Sequence, residues 1–250
     1  MNRKKAFFFA MAAVLGWSTA ATAFKITLKT LNIYEALLLA SLVASIVLLT
    51  LRFFEKSASP LPPLLYSLKL GLFMPTSYYL VLFQAYALLP AQYALALNYS
   101  WPLCMVILAY LYLKETIQKV QICGLILGFL GILVLGFGRG IYPTPNIDDL
   151  HGILLALGSA VIWSIYWILM LRSSFDQLSF LTASFLGSIP TLLILNFFYI
   201  DLNFPTLEGL LGCLHIGIFE MGLSFFLWSK ALELGRGITF ISKDRKSTRL

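Results

Sequence analysis

The sequence predicts an all-α protein that crosses a lipid bilayer many times. Three observations carry that expectation. Of the 250 residues, 60% are hydrophobic and only 12% are charged, about half the charge of an ordinary soluble domain. The apolar residues fall in runs of roughly 20, the length a helix needs to cross the hydrocarbon core. The runs are continuous, whereas the strands of a transmembrane barrel alternate apolar and polar residues.

Eight spans can be drawn, in order Ala6–Phe24, Ile33–Leu51, Leu70–Leu89, Tyr93–Leu113, Val120–Phe137, Ile153–Leu171, Leu178–Ile200 and Leu207–Trp228. The first follows a basic start (Arg3, Lys4, Lys5). It is longer than a signal-peptide core of roughly 7–15 residues, and another apolar run follows at once, so it reads as a retained helix. The third, fourth and seventh contain Pro75, Pro102 and Pro190. Each proline removes a hydrogen bond to the carbonyl four residues back, on Gly71, Asn98 and Leu186 respectively. At Asn98-Tyr99-Ser100-Trp101-Pro102 a backbone oxygen and a side-chain amide are thereby left together at membrane depth. Irregular backbone of this kind is tolerated where protein buries it or where it lines a cavity, and a simple packing kink is the alternative reading of the Asn98–Pro102 stretch. Pro190 reads as a simple packing kink. Gly124, Gly128 and Gly131 in the fifth span, with Gly152, Ala156, Ala160 and Ser164 at the sixth, let helices approach closely within the chain or in a homodimer.

The basic residues set an orientation. With the N-terminus in the cytoplasm, only Lys25, Lys29 and Arg139 of the 18 Lys and Arg residues fall outside, as the positive-inside bias requires. The net charge of +7 is thus a topology signal, and no nucleic-acid partner is implied.

The connection Gly138–Gly152, with Pro143 and Pro145, separates two parts with internal similarity. Trp17-Ser18 meets Trp163-Ser164 at an offset of 146, and both Phe53-Phe54 with Phe197-Phe198 and Ala87-Leu88 with Ala231-Leu232 match at 144. Five helices in the first part would place the second upside down in the membrane, the inverted-repeat plan of many secondary transporters. The domains expected are a first repeat over 1–140, an incomplete second repeat of three helices over 141–235, and a charged tail over 236–250. That tail stands where the repeat calls for further helices, so the chain is expected to be truncated or to end in out-of-frame text, the alternative being a true eight-helix protein.

Glu220 is the most informative residue. It lies within an apolar span, where a carboxylate costs on the order of 2.5–3.5 kcal/mol to insert, so its default reading is functional. By α-helical spacing Gly217 and Ser224 share its face and leave room beside it. His215 falls about 140° away on an α-helix, too far round for a direct pair. Trp17 and Trp163 sit deeper than interfacial anchors and are candidate cavity walls, with Tyr79, Phe83 and Tyr86 adding an aromatic stripe. Core packing is the plain alternative for each of these aromatics, and for Glu220 the alternative is a hydrogen bond to a neighbouring helix.

Catalytic chemistry finds no support. GxxxxGK[ST], HExxH and GxSxG motifs are missing from the sequence. Cys104, Cys123 and Cys213 read as small buried hydrophobes, and His151 and His215 are too scattered for a metal site. Asp148-Asp149 lacks a second acidic cluster, and Lys114-Glu115 reads as an interfacial ion pair. No cofactor is expected, and the protein is read as a non-enzyme.

The chain resembles the EamA-type branch of the drug/metabolite transporter superfamily. The resemblance rests on Gly16-Trp17-Ser18, Asn98-Tyr99-Ser100-Trp101-Pro102-Leu103, Lys114-Glu115, the glycines from Gly124 to Gly136, and Phe219-Glu220-Met221-Gly222 leading to Trp228-Ser229-Lys230-Ala231-Leu232. It implies ten helices in two inverted five-helix repeats, of which about eight are present here. It also implies export or exchange of small metabolites across a bacterial inner membrane. The departure is the missing final pair, whose first helix would face the cavity. The function expected is secondary transport, as export of amino acids or similar metabolites by alternating access, with Glu220 the candidate for proton coupling or for holding a cationic group. Asn98 and Ser224 would be polar contacts, and Trp17, Tyr79 and Trp163 walls. The rival reading is a non-transporting membrane protein that recruits or stabilises a partner.

Overall fold

In hydrocarbon, every backbone N–H and C=O must be satisfied within the segment that carries it, so continuous apolar runs fold as helices. The computed structural model describes residues 3–55, 59–114, 118–137, 147–199 and 205–235, and the regular structure there is entirely helical. In chain order the helices are α1 (Arg3–Ser18), α2 (Ala20–Thr27), α3 (Ile33–Phe54), α4 (Leu64–Gly71), α5 (Tyr78–Leu88), α6 (Ala91–Asn98) and α7 (Trp101–Leu113). They continue with α8 (Lys119–Phe137), α9 (Ile147–Arg172), α10 (Gln177–Tyr199), α11 (Leu207–His215) and α12 (Phe225–Gly235). A π-helical stretch, Leu72–Ser77, joins α4 to α5, and a second, Ile216–Ser224, joins α11 to α12.

Among the described residues six helical stretches are long and apolar enough to cross a membrane: Lys4–Thr27, Ile33–Phe54, Gln92–Tyr112, Asp149–Arg172, Gln177–Tyr199 and Leu207–Gly235. The protein is an all-α, multi-pass membrane protein. The two other predicted spans take different forms. The third is helical from Leu64 to Leu88 but broken at Met74, whose backbone is extended (φ −142°, ψ 124°) before a cis peptide bond to Pro75. The fifth is the shorter apolar helix Lys119–Val134. The sixth starts earlier than predicted, since α9 begins at Ile147. The charged tail from Arg236, Glu115 of the Lys114-Glu115 pair, and Pro143 and Pro145 lie outside the described residues.

Local chemistry sets the helix ends. Asn32 and Glu35 form a reciprocal cap on α3, with Glu35 N donating to Asn32 Oδ1 at 2.9 Å and Asn32 N to Glu35 Oε2 at 3.2 Å. Such a cap satisfies two of the N–H groups that a helix start leaves open. Between α1 and α2 the hydroxyls of Ser18 and Thr19 bond the carbonyls of Leu15 and Gly16 at 2.7 and 2.9 Å. Hydroxyls that compete for backbone carbonyls in this way loosen a helix.

The chain divides into two compact units. One comprises Met1–Pro60, Asp176–Thr182 and Asp201–Leu250, and the other Leu61–Phe175 and Ala183–Ile200. In the first, α1 packs on α12 and on the π stretch Ile216–Ser224, α3 runs along the same π stretch, and α11 packs on α2 and α3. A polar network closes one end of this unit. Asp176 caps α10 by accepting from Ser179 N at 2.9 Å, and it also accepts from Ser59 N at 2.8 Å and from the Ser59 hydroxyl. Arg52 donates to the Ser59 carbonyl and to the Ser179 hydroxyl. Partial burial alone would raise the Asp176 carboxyl. The hydrogen bonds from Ser179 and Ser59 outweigh it and hold the group below its ordinary 3.8.

In the second unit α9 is the hub on which α5, α6 and α7 pack, and α8 leans on α6. Ala156, Ala160 and Ser164 are fully buried on α9. The close approach predicted for the sixth span is present, since a Cβ on Gly152 would meet the Leu89 side chain at 2.7 Å, but that predicted for the fifth is not, and two other glycines come closer still. A Cβ on Gly187 would run into the Ser67 carbonyl, and one on Gly71 into the backbone of Gly187 and Ser188. Gly124, Gly128 and Gly131 have nothing within 4 Å of a Cβ position, because α8 leaves most of its length exposed among the described residues. Cys123, also on α8, is likewise exposed rather than buried.

Candidate functional site

Glu220 lies inside the π stretch Ile216–Ser224 and retains only 7% of its surface. A π turn bonds i to i+5 and appears most often as a local bulge at functional sites. It also rewrites the α-helical spacing assumed from sequence. Residues five apart come closer to one face, and the Ser224 hydroxyl accordingly donates to the Phe219 carbonyl, five residues back.

The neighbours of Glu220 therefore have other duties than predicted. Gly217 does not simply leave room beside the carboxyl. A Cβ there would strike Ala40 O and the Val43 side chain at 2.5–2.7 Å, so Gly217 is the point where α3 approaches. Gly222 does the same against Val47. Ser224 abuts Gly16 of α1, where a Cβ would collide with its hydroxyl. Trp17 donates its indole N–H to the Glu220 carbonyl at 3.3 Å and packs against Trp228 and Phe225, with ring centroids 5.6 and 6.4 Å away. Three predicted site residues, Trp17, Glu220 and Ser224, thus meet in the first unit.

The other three lie in the second unit. Asn98 is buried at the end of α6, where its Nδ2 donates to Ser159 Oγ of α9 at 2.8 Å. The chain then breaks at Tyr99 and Ser100, and Pro102 falls in the first turn of α7. The expected mid-helix kink is therefore a helix junction, where the missing proline N–H costs little. Ser164 Oγ donates to Trp101 O at 2.9 Å across this junction. Trp163 is packed by Tyr78, Trp167 and Trp101 at 4.9, 5.7 and 6.1 Å. Tyr79 is fully buried between Tyr78 and Phe83. These aromatics form a packed cluster, which suits a wall seen from its core side.

Sequence reasoning missed a cavity in the first unit. It measures about 690 Å³ and is lined by residues of α1, α2, α11 and the turn after α2, among them Thr19, Thr22, Lys29, Glu208 and His215. Thr19 Oγ1 and His215 Nε2 are 2.9 Å apart, and the His215 ring packs on Phe219 at 5.0 Å. His215 was set aside for want of a metal partner. The available signal was simply an imidazole and several hydroxyls at membrane depth.

A bundle of apolar helices holding a buried carboxyl and a cavity with a few placed polar groups has the attributes of a membrane transporter. The comparisons give its family. The chain matches the EamA-like transporter family over residues 4–137 and 150–240, and it belongs to that family. It is 31% identical over 162 residues to a transporter of Acidianus ambivalens, covering 62% of this chain and 60% of that protein. It is 26% identical over 251 residues to the aromatic amino acid exporter YddG of Ancylobacter novellus, covering 94% of this chain and 82% of that protein. A crystal structure with a TM-score of 0.73 and 22% identity, over 90% of this chain and 79% of that one, has the same fold.

Proposed function

We propose that this protein exports amino acids or similar small metabolites across a bacterial inner membrane by alternating access, and that Glu220 couples the flux to protons. The observation that carries the reading is the burial of Glu220 on a π-helical stretch of an otherwise apolar helix. Such a carboxyl is an acid–base group enclosed among apolar helices, and entry of solute or water changes its surroundings. Proton uptake and release then accompany a change of access. Trp17 holds the π stretch to α1 and Ser224 supports it. Within the second unit, Asn98 is a candidate polar contact and Tyr79 and Trp163 are candidate aromatic walls. The family, and the similarity to the aromatic amino acid exporter of Ancylobacter, support an amino-acid solute. The N-terminus lies in the cytoplasm by the distribution of Lys and Arg.

The test is flux in proteoliposomes. Glu220→Gln keeps the shape and removes the titration. It is expected to abolish pH-driven amino-acid flux while insertion and thermal stability stay unchanged. Flux with the wild-type pH dependence in the variant would remove Glu220 from the coupling.

A further inference from the structure

The cavity in the first unit holds two opposite charges that do not neutralise each other. Lys29 and Glu208 both line it, both are exposed, and no ion pair joins them among the described residues. Lys29 follows α2 and Glu208 opens α11, so the pair marks one end of the cavity. The other end reaches His215, seven residues further along α11, a rise of roughly 10 Å. The space between is walled by Ile26 and Leu211 on its apolar side and by hydroxyls on its polar side.

The floor is polar. The Thr19 hydroxyl lies 2.9 Å from Gly16 O and 2.9 Å from His215 Nε2, so it bridges α1 and the imidazole. The imidazole is thereby anchored by Nε2 and braced by Phe219. Its volume falls within the roughly 300–1,000 Å³ usual for small-molecule sites, which pair apolar walls with a few placed polar groups. Polar groups at membrane depth are costly unless they face water or a solute.

We propose that this cavity is a second solute subsite, separate from Glu220, that takes a free α-amino acid as its zwitterion. Lys29 holds the carboxylate, Glu208 holds the ammonium, and the side chain lies along Ile26 and Leu211 toward His215. The two unjoined charges match the two charges of an α-amino acid, and neither an organic anion nor an organic cation would use both. The inference rests on the amino-acid export reading above and gives that solute a place in the chain.

The test uses the purified chain in lipid nanodiscs, with equilibrium binding of L-phenylalanine, N-acetyl-L-phenylalanine and L-phenylalanine methyl ester. Blocking either charge of the ligand should weaken binding at least tenfold, roughly the value of one charged hydrogen bond. Lys29→Gln should weaken L-phenylalanine and its N-acetyl form by a similar factor and leave the ester unchanged. Glu208→Gln should weaken L-phenylalanine and the ester and leave the N-acetyl form unchanged. Both positions are exposed, so thermal midpoints recorded alongside should match wild type. If both variants bind L-phenylalanine like wild type while Glu220→Gln loses it, the subsite is refuted and the export reading stands. If the wild-type protein binds none of the three, the subsite and its amino-acid solute fall together.

Discussion

Asp176 shows how a single side chain outside the apolar spans can hold several segments at once. It caps α10, receives Ser59, and shares both serines with Arg52. Loss of an N-cap costs about 1 kcal/mol, so Asp176→Ala should lower the thermal midpoint of the purified protein by that equivalent. The pH dependence follows from the lowered carboxyl. Because the folded value lies below the unfolded one, the contribution is complete above the unfolded value and is lost as pH falls through the folded value. Wild-type stability should therefore drop more steeply than that of Asp176→Ala on acidification. Parallel curves would show that the network carries no such linkage. Glu220 was legible in the sequence because a carboxyl in an apolar run is conspicuous. Asp176 was not, since a loop acid near a helix start looks ordinary until Ser59, far away in sequence, is seen to reach it.

At the level of helices, the two π stretches are the chief departure from sequence expectation. They begin at Leu72 and Ile216, 144 residues apart, the same offset that relates Phe53-Phe54 to Phe197-Phe198. The first was half legible, because Pro75 announces a disturbed helix. The second contains no proline. It coincides with a close helix contact, where Gly217 and Gly222 admit α3 so closely that a Cβ would clash, and periodicity alone does not record how near another helix comes. The same reasoning separates glycines that look alike in the text. Gly187→Val puts methyl groups into the Ser67 backbone, and overpacking of this kind costs typically 1–3 kcal/mol. Gly128→Val meets open space and should be neutral. Thermal unfolding of the two variants checks this, and equal destabilisation would mean that the helix contacts are wrongly assigned.

At the scale of the molecule, composition and run length were enough for the all-α, multi-pass class, because hydrocarbon permits little else. Short matches in the sequence suggest an internal repeat, while the grouping of the chain into compact units was not legible there. One unit draws on three separate stretches of sequence, an outcome of long-range packing that no local pattern encodes. The account rests on two repeats that cross the bilayer in opposite senses, which requires the chain start and the connection after α8 to lie on opposite faces. Single cysteines at Asn2 and Asn146, introduced after Cys104, Cys123 and Cys213 are replaced by Ser, can be probed on intact cells with a membrane-impermeant maleimide. The account predicts labelling of Asn146→Cys and protection of Asn2→Cys. Labelling of both, or protection of both before but not after permeabilisation, would contradict it.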